Sequence, residues 1–415
     1  MSDKDFQGGL EDVLVFAGTG DEDYVDDVCM LLGLKRGGME FKYHPDGDPY
    51  LRILDNVGGK DVYFVLRYHR NTVHNWAQIL CFANAALNES ANSVNVFETY
   101  FGCSRQERKS KPGEAVTLQA KAKSIMAAGV RNFSTFTAHS DATILAFDPA
   151  MTRFTNFPLW PVMLRVIYSV ADETMMIKMV GPDAGAAKTV REIMGSTTVQ
   201  QDDRFSKDLA IVDKDRVHQK DGTRSGALIG DVEGVIAALF DDESVSGGSI
   251  CDAAAICGSS NASGAYVALA HPKFAMDDGG IGKMKTALAA KTIDKLIITD
   301  TCCLPDDIRL RLGLEIDSDR LIVIPTQPLV AEYIQRAAQH KGAPYLFSSR
   351  GVLRPYMAIR NTVESVETSE RSPDYEARFQ AAMDTYRRLA QPVLGPYRPT
   401  VRSHRRLTDP PQSGT

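Results

Sequence analysis

Several short stretches of this chain carry side chains suited to phosphate chemistry. Between Ala237 and Ile250 an apolar run ends in Asp241, Asp242 and Glu243, then passes through Val245 into Ser246, Gly247, Gly248 and Ser249. A second apolar stretch, Ile250 to Cys257, follows. That order reads as a buried parallel strand, a turn and a helix start. The Ser-Gly-Gly-Ser loop offers backbone N–H groups and two hydroxyls at a helix N-terminus, where a phosphate binds well. Asp241 and Asp242 stand at the carboxyl end of the strand, placed to hold sugar hydroxyls or Mg2+. A plain acidic β-to-α turn would have the same residues, and these alone do not choose between the two.

A second cluster runs from Tyr100 through Gly102 into Arg105, Gln106, Arg108, Lys109 and Lys111. Cationic stretches are often solvated surface. This one follows a strand and precedes a helix starting near Val116, where α/β proteins bind ligands, so a basic lid over a polyphosphate is the functional reading. His139 follows the strand Asn132 to Thr137; taken alone, a lone histidine is usually structural. Asp183 lies in the glycine turn after the strand Met175 to Val180, and Lys214 and Arg216 follow the strand Asp208 to Val212. Two apparent nucleotide motifs fail. Gly18-Thr-Gly20 has Asp23 where a dinucleotide fingerprint needs its third glycine, and Asp21, Glu22 and Asp23 would repel a pyrophosphate. Gly185 to Thr189 lacks the Gly-Lys-Ser/Thr of a P-loop.

The elements that must position these groups alternate. Strands are expected at 12–17, 51–53, 61–66, 94–97, 132–137, 175–180, 208–212, 227–231, 234–240, 264–269, 295–299 and 321–324, with helices at 23–34, 75–87, 159–168 and 329–340. Alternation of this kind means an α/β architecture of two similar doubly wound domains, each with a mainly parallel sheet flanked by helices. The boundaries expected are 11–158 for the first domain, completed by 325–342, and 159–324 for the second. Beyond them lies an extension, 343–415, with a polar linker at 364–372, one helix over 373–389 and a disordered basic tail.

Composition narrows the class. Hydrophobic content of 44% and charged content of 24% are those of a soluble globular protein. A net charge of −6 argues against broad nucleic-acid or membrane-surface binding. Seven cysteines with no C-x-x-C pair argue against a disulfide framework or a zinc ribbon and fit a reducing cytoplasm. Met1 to Gly9 is polar and acidic, unlike a signal peptide, and no run is long enough to span a membrane.

Taken in order, the motifs resemble those of the ribose-phosphate diphosphokinases, the synthetases of phosphoribosyl pyrophosphate. His44 to Ile53 resembles the family's Phe-Pro-Asp-Gly-Glu segment, and Tyr100 to Lys109 its Tyr-Phe-Gly-Tyr-Ala-Arg-Gln-Asp-Arg-Lys. Thr137-Ala-His139 is similar to Asp-Leu-His, Gly181-Pro-Asp183 to Ser-Pro-Asp, and Asp213 to Arg216 to Asp-Lys-Arg-Arg. Asp241 to Ser249 resembles the phosphoribosyl-pyrophosphate loop. The resemblance covers about residues 11 to 342. It implies domains of the type I phosphoribosyltransferase kind and pyrophosphate transfer from Mg-ATP to the anomeric hydroxyl of ribose 5-phosphate. It also implies that Ser246, Gly247, Gly248 and Ser249 hold the 5-phosphate while Asp241 and Asp242 hold the ribose hydroxyls. Arg105, Gln106, Arg108, Lys109 and His139 would contact ATP, with His139 and Asp183 at its phosphates and Mg2+. Lys214 and Arg216 would lie on a loop closing at the transition state. Asp46 and Asp48 would reach the adenine of a neighbouring subunit, implying a dimer or hexamer.

The chain also departs from the pattern. Val245 stands where the loop usually has its third aspartate, Glu243 and Ser244 are unusual, and Asp215 lowers the charge between Lys214 and Arg216. Valine neither binds a hydroxyl nor takes a proton. Two alternatives therefore stay open beside the active synthetase: a non-catalytic associated homologue, and pyrophosphorylation of another ribosyl acceptor such as ADP-ribose.

Overall fold

The computed structural model describes residues 9–213, 227–274, 280–315, 318–342, 351–368 and 374–397. The expected catalytic pair Lys214 and Arg216, and the basic tail from 398 onward, lie outside the described residues. The first sheet is built from β1 (Val13–Ala17), β4 (Asp61–Leu66), β5 (Ser93–Glu98), β6 (Asn132–Phe136) and β7 (Arg153–Phe157), in that spatial order and all parallel. Between β1 and β4 the chain makes a separate antiparallel hairpin of β2 (Met39–Tyr43) and β3 (Pro49–Ile53). The second sheet contains β8 (Ile177–Gly181), β9 (Ala210–Asp213), β10 (Ala227–Ile229), β11 (Ile236–Ser244), β12 (Gly264–Pro272), β13 (Lys295–Thr299) and β14 (Leu321–Ile324). Its order is β10-β9-β8-β11-β12-β13-β14, parallel except at the β10 edge. Continuous apolar runs such as Val13 to Ala17 fit strands covered on both faces by helices. The expected α/β fold of two doubly wound units is the one observed, with five and seven strands among the described residues.

Local chemistry sets the helix ends. Gly33, in the left-handed region at φ 70°, closes the helix Glu22–Leu32, and the Asn71 side chain accepts the His74 N–H at 3.0 Å to start the helix Thr72–Asn88. The helix Gln327–Ala338 returns to the first sheet, where Tyr333 packs against Tyr63, Phe97 and Phe157. One buried cluster joins both sheets, from Val15 and Phe97 to Phe240, Ile297 and Ile324.

Three features differ from the sequence reading. β2 and β7 are additional strands; both are half-exposed and short of the apolar runs that mark the others. β11 does not stop at Phe240, because its pairing with β12 continues to Ser244 opposite Pro272, so the three acids sit on the strand itself. The stretch read as a linker from Glu364 belongs, as far as Thr368, to a helix Arg354–Thr368. Its buried Tyr356, Ile359 and Val363 recur at helical spacing among polar residues, and the Tyr356 hydroxyl donates to the Pro325 carbonyl at 2.7 Å. Among its described residues the extension thus holds two long helices, Arg354–Thr368 and Tyr375–Leu389, and a short turn Gln391–Leu394, rather than one helix.

Candidate active site

The carboxyl ends of the two sheets meet, and a cleft of about 710 Å3 lies between them. Its walls include Arg105, His139, Asp183, Asp241, Asp242 and the loop from Val245 to Ser249. Residues far apart in sequence are therefore neighbours.

The strand–loop–helix unit has the form expected for anion binding. Gly247, at φ 67°, takes the left-handed conformation that turns the chain into the helix Gly248–Ser259. The Gly247 N–H donates to Ser244 Oγ at 3.1 Å, and the Gly248 N–H reaches Ser246 Oγ at 3.4 Å. A side chain at Gly248 would put its Cβ 3.2 Å from Lys283 Nζ, so an ammonium stands over the loop. Val245 is exposed on the cleft rim.

Each acid of β11 has its own environment. Asp242 Oδ2 meets His139 Nδ1 at 2.7 Å. That hydrogen bond raises the His139 pKa above the ordinary range. Burial pushes Asp242 up, but the hydrogen bond and charge of His139 outweigh it and hold the carboxyl below its usual range. Asp241 has no such cation. Burial, then the neighbouring Asp242 and Asp183 carboxylates, push its pKa well up. Glu243 points to the domain seam, where its carboxylate accepts from Tyr100 Oη at 2.8 Å and Lys273 Nζ at 3.0 Å and pairs with Arg105 Nε at 3.0 Å.

His139 is delivered by a strained turn. Thr137 has φ 35°, unusual for a β-branched residue. It is held by hydrogen bonds from its N–H to the Phe157 carbonyl at 2.9 Å and from the Leu159 N–H to its Oγ1 at 3.0 Å. The buried His271 donates from Nε2 to the carbonyls of Phe136 and Thr137 at 3.1 Å, so its Nδ1 accepts from Thr301 Oγ1 at 2.9 Å. Burial lowers its pKa, consistent with a neutral ring serving as a bracket between the sheets.

Asp183 caps the start of the next helix, accepting the Ala186 N–H at 3.0 Å. Gly185 to Thr189, no P-loop, nonetheless supplies Lys188 to the cleft, where it pairs with Asp141. Gln106, Arg108 and Lys109 lie on the loop between β5 and the helix Thr117–Ala127, outside the cleft lining, and Arg108 and Lys109 are exposed. Asp46 and Asp48 sit at the exposed tip of the β2–β3 hairpin, also outside it. Sequence reasoning missed Lys188, Lys273 and Lys283. Only Lys188, inside the rejected glycine motif, gave any signal.

Residues 13–129 match the model of the N-terminal domain of ribose phosphate pyrophosphokinase. The ribose-phosphate pyrophosphokinase of Fusobacterium nucleatum subsp. nucleatum is 26% identical over 339 residues, covering 82% of this chain and 99% of the relative. That of Rhodopirellula baltica is 26% identical over 341 residues, covering 82% of this chain and all of the relative. The chain is thus similar to ribose-phosphate pyrophosphokinases over 82% of its length. The crystal structure of phosphoribosylpyrophosphate synthetase from Mycobacterium smegmatis has the same fold, with a TM-score of 0.67, 20% identity and coverage of 80% of this chain and 100% of its own. The departures from the pattern of those enzymes lie together: Glu243, Ser244 and Val245 are consecutive, and the structure gives the first two their own bonding partners.

Proposed function

We propose that this protein transfers the pyrophosphoryl group of Mg-ATP to the 1-hydroxyl of ribose 5-phosphate, giving phosphoribosyl pyrophosphate and AMP. The observation that carries this reading is the single cleft in which the Ser246–Ser249 loop and the Asp241–Asp242 pair face Arg105 and His139. One wall suits a sugar phosphate and the other a polyphosphate. Ser246 to Ser249 take the 5-phosphate on their N–H and hydroxyl groups, helped by Lys283. Asp242, kept ionised by His139, accepts from the ribose hydroxyls, and Asp241, whose pKa is raised, is suited to share a proton there. Arg105 moves from Glu243 to the phosphates of ATP, and Gln106, Arg108 and Lys109 extend the same basic loop. Charge spreading over nonbridging and leaving oxygens is met by such cations and by Lys214 and Arg216, since phosphoryl displacement depends on positioning and charge neutralisation.

Magnesium fits this donor set. Among the described residues no three His, Cys, Asp or Glu side chains form a ready-made metal cage. Mg2+ characteristically takes one or two protein carboxylates and completes its shell with water and substrate phosphates. Asp183 is the fitting ligand; His139 would first have to give up the proton that Asp242 stabilises, and in its cationic form it serves a phosphate oxygen directly. A metal held there by Asp183 would supply neutralisation of charge on the phosphates. Asp46 and Asp48, away from the cleft, serve the adenine of a second copy in this reading, which implies a dimer or hexamer. The expected setting is cytoplasmic, without nucleic-acid or membrane partners; among the described residues no helix is long and apolar enough to cross a membrane.

AMP release from Mg-ATP tests this directly. Release dependent on ribose 5-phosphate is the expected result. Release dependent on ADP-ribose alone would reassign the acceptor, a reading that Val245 favours by leaving one acid fewer at the loop. No release with either would leave a non-catalytic associated homologue.

A further inference from the structure

Outside the residues that line the cleft, three loops bring an aspartate, a histidine and a cysteine together. Asp21 follows β1, His69 follows β4, and Cys303 follows β13 on the other sheet. His69 Nε2 meets Asp21 Oδ1 at 2.8 Å, and Cys303 is held beside this histidine by its N–H, which donates to the carbonyl of the preceding Tyr68 at 2.9 Å. Asp21 is 1% exposed and is fixed from the other side by the Arg67 backbone N–H at 2.8 Å and Arg67 Nε at 2.7 Å. This is the acid–base–nucleophile order that activates thiols elsewhere. We propose that Cys303 is a reactive thiolate, held by the His69–Asp21 pair, and a site of mixed-disulfide formation with small disulfides such as oxidised glutathione.

The surroundings single this cysteine out. The neighbouring His69 lowers the Cys303 pKa, and burial only partly opposes it. Burial of His69 works against its charge, but the bond to Asp21 and the neighbouring Cys303 prevail and bring its pKa up to about 9. The facing groups from the neighbouring elements are Arg67 beside His69, Tyr24 on the helix Glu22–Leu32, and the half-buried Asp300 that precedes the cysteine loop. Arg67 favours the thiolate; Asp21 opposes it directly but sustains the imidazolium that favours it. Burial raises Cys29, Cys81, Cys251, Cys257 and Cys302, so those thiols stay protonated. Cys303 is also half-buried rather than enclosed, so a reagent can reach it. In the reaction the Cys303 sulfur attacks one sulfur of the disulfide. A new S–S bond forms, the old one breaks, and the departing thiolate takes a proton from water, with no net redox co-reactant.

The position gives the modification consequences. The Cys303 N–H donates to the Tyr68 carbonyl at 2.9 Å, and the Tyr68 N–H donates to the Thr301 carbonyl at 3.2 Å, so the loop stitches the two sheets. A tripeptide attached here bears on that stitch.

The test follows alkylation of each cysteine by iodoacetamide across pH 5 to 9, in the native full-length protein and in the same protein in urea, with peptides quantified by mass spectrometry. At pH 6.5 native Cys303 is expected to react about tenfold faster than in urea, its thiolate fraction being raised at the cost of some intrinsic nucleophilicity. Oxidised glutathione should mark Cys303 first, reversibly with dithiothreitol. His69→Gln should abolish the advantage while leaving the other cysteines unchanged. A native Cys303 no faster than its urea control, or glutathione attached first at Cys103, overturns the proposal; the wild-type profile decides this even if the variant does not fold.

Discussion

Glu243 offers the sharpest test of how the two halves of the cleft are held. Its carboxylate and the Lys273 ammonium are each 8% exposed and 3.0 Å apart, across a seam that also holds Tyr100. At an effective dielectric constant of about 20, opposite charges at that distance attract by about 5 kcal/mol, before the cost of desolvating both. Removing one partner of such a buried pair typically costs about 3–5 kcal/mol, because the other charge is left stranded. The Arg105 arm is different: that side chain is 64% exposed, and solvent screening limits its share to under about 1 kcal/mol. Glu243→Gln keeps a hydrogen-bond acceptor for Tyr100 or Lys273, so about 2–3 kcal/mol is expected for it. Lys273→Met strands the glutamate instead, softened by Arg105, and should cost a similar amount. The double variant should cost clearly less than the sum, with a coupling of about 2 kcal/mol. Urea unfolding of the four proteins, followed at several wavelengths to check for a single transition, measures this. Single costs that add to within about 0.5 kcal/mol would show that no energetic pair joins Glu243 to Lys273. Freed from Glu243, Arg105 should also lower the KM for ATP in Glu243→Gln.

Two further outcomes are expected. The His139–Asp242 pair should stabilise most at mildly acidic pH: a raised histidine contributes fully below its unfolded pKa and loses its effect as pH rises through the folded one, while the lowered Asp242 loses its effect only as pH falls through its own. His139→Gln should flatten the stability–pH curve above about pH 6.5, read by urea midpoints at each pH, and an unchanged slope would remove the pair from the account. Tyr386→Ala should cost about 3–5 kcal/mol, since the side chain is 1% exposed within the core and its hydroxyl donates to the Gly395 carbonyl at 2.7 Å; a loss below about 1 kcal/mol would mean that the last helices are ornamental to folding.

Strands buried on both faces were legible because their apolar runs leave few alternatives: 61–66, 295–299 and 321–324 emerge with the expected bounds. β2 and β7 were not, since half-exposed strands near a hairpin or an edge carry mixed residues whose pattern comes from tertiary pairing. In the site, the Ser246–Ser249 loop and His139 announced themselves by glycine and strand-end position. Lys273 and Lys283 did not, because a lysine near a ligand loop looks like any surface lysine until the fold brings it there. Glu243 showed the reverse: an oddity against the family loop became intelligible only once Tyr100, Lys273 and Arg105 stood around it. The misread linker at 364 has the same cause. A helix packed on one stripe is mostly polar, and four buried residues in Arg354–Thr368 suffice.

The shared core bears on how the polypeptide comes off the ribosome. Leu10 and Val13 at one end, and Tyr386, Leu389 and Val393 at the other, belong to one buried cluster. At about 5–20 residues per second, on the order of half a minute separates the making of the first strand from that of the residues that cover it. Through that interval β1 and the helix Glu22–Leu32 hold apolar surface whose final neighbours do not yet exist. The nascent chain is thus a natural client for a holding chaperone, and a synonymous-codon change that slows translation near its end should lower the soluble yield without altering a single residue.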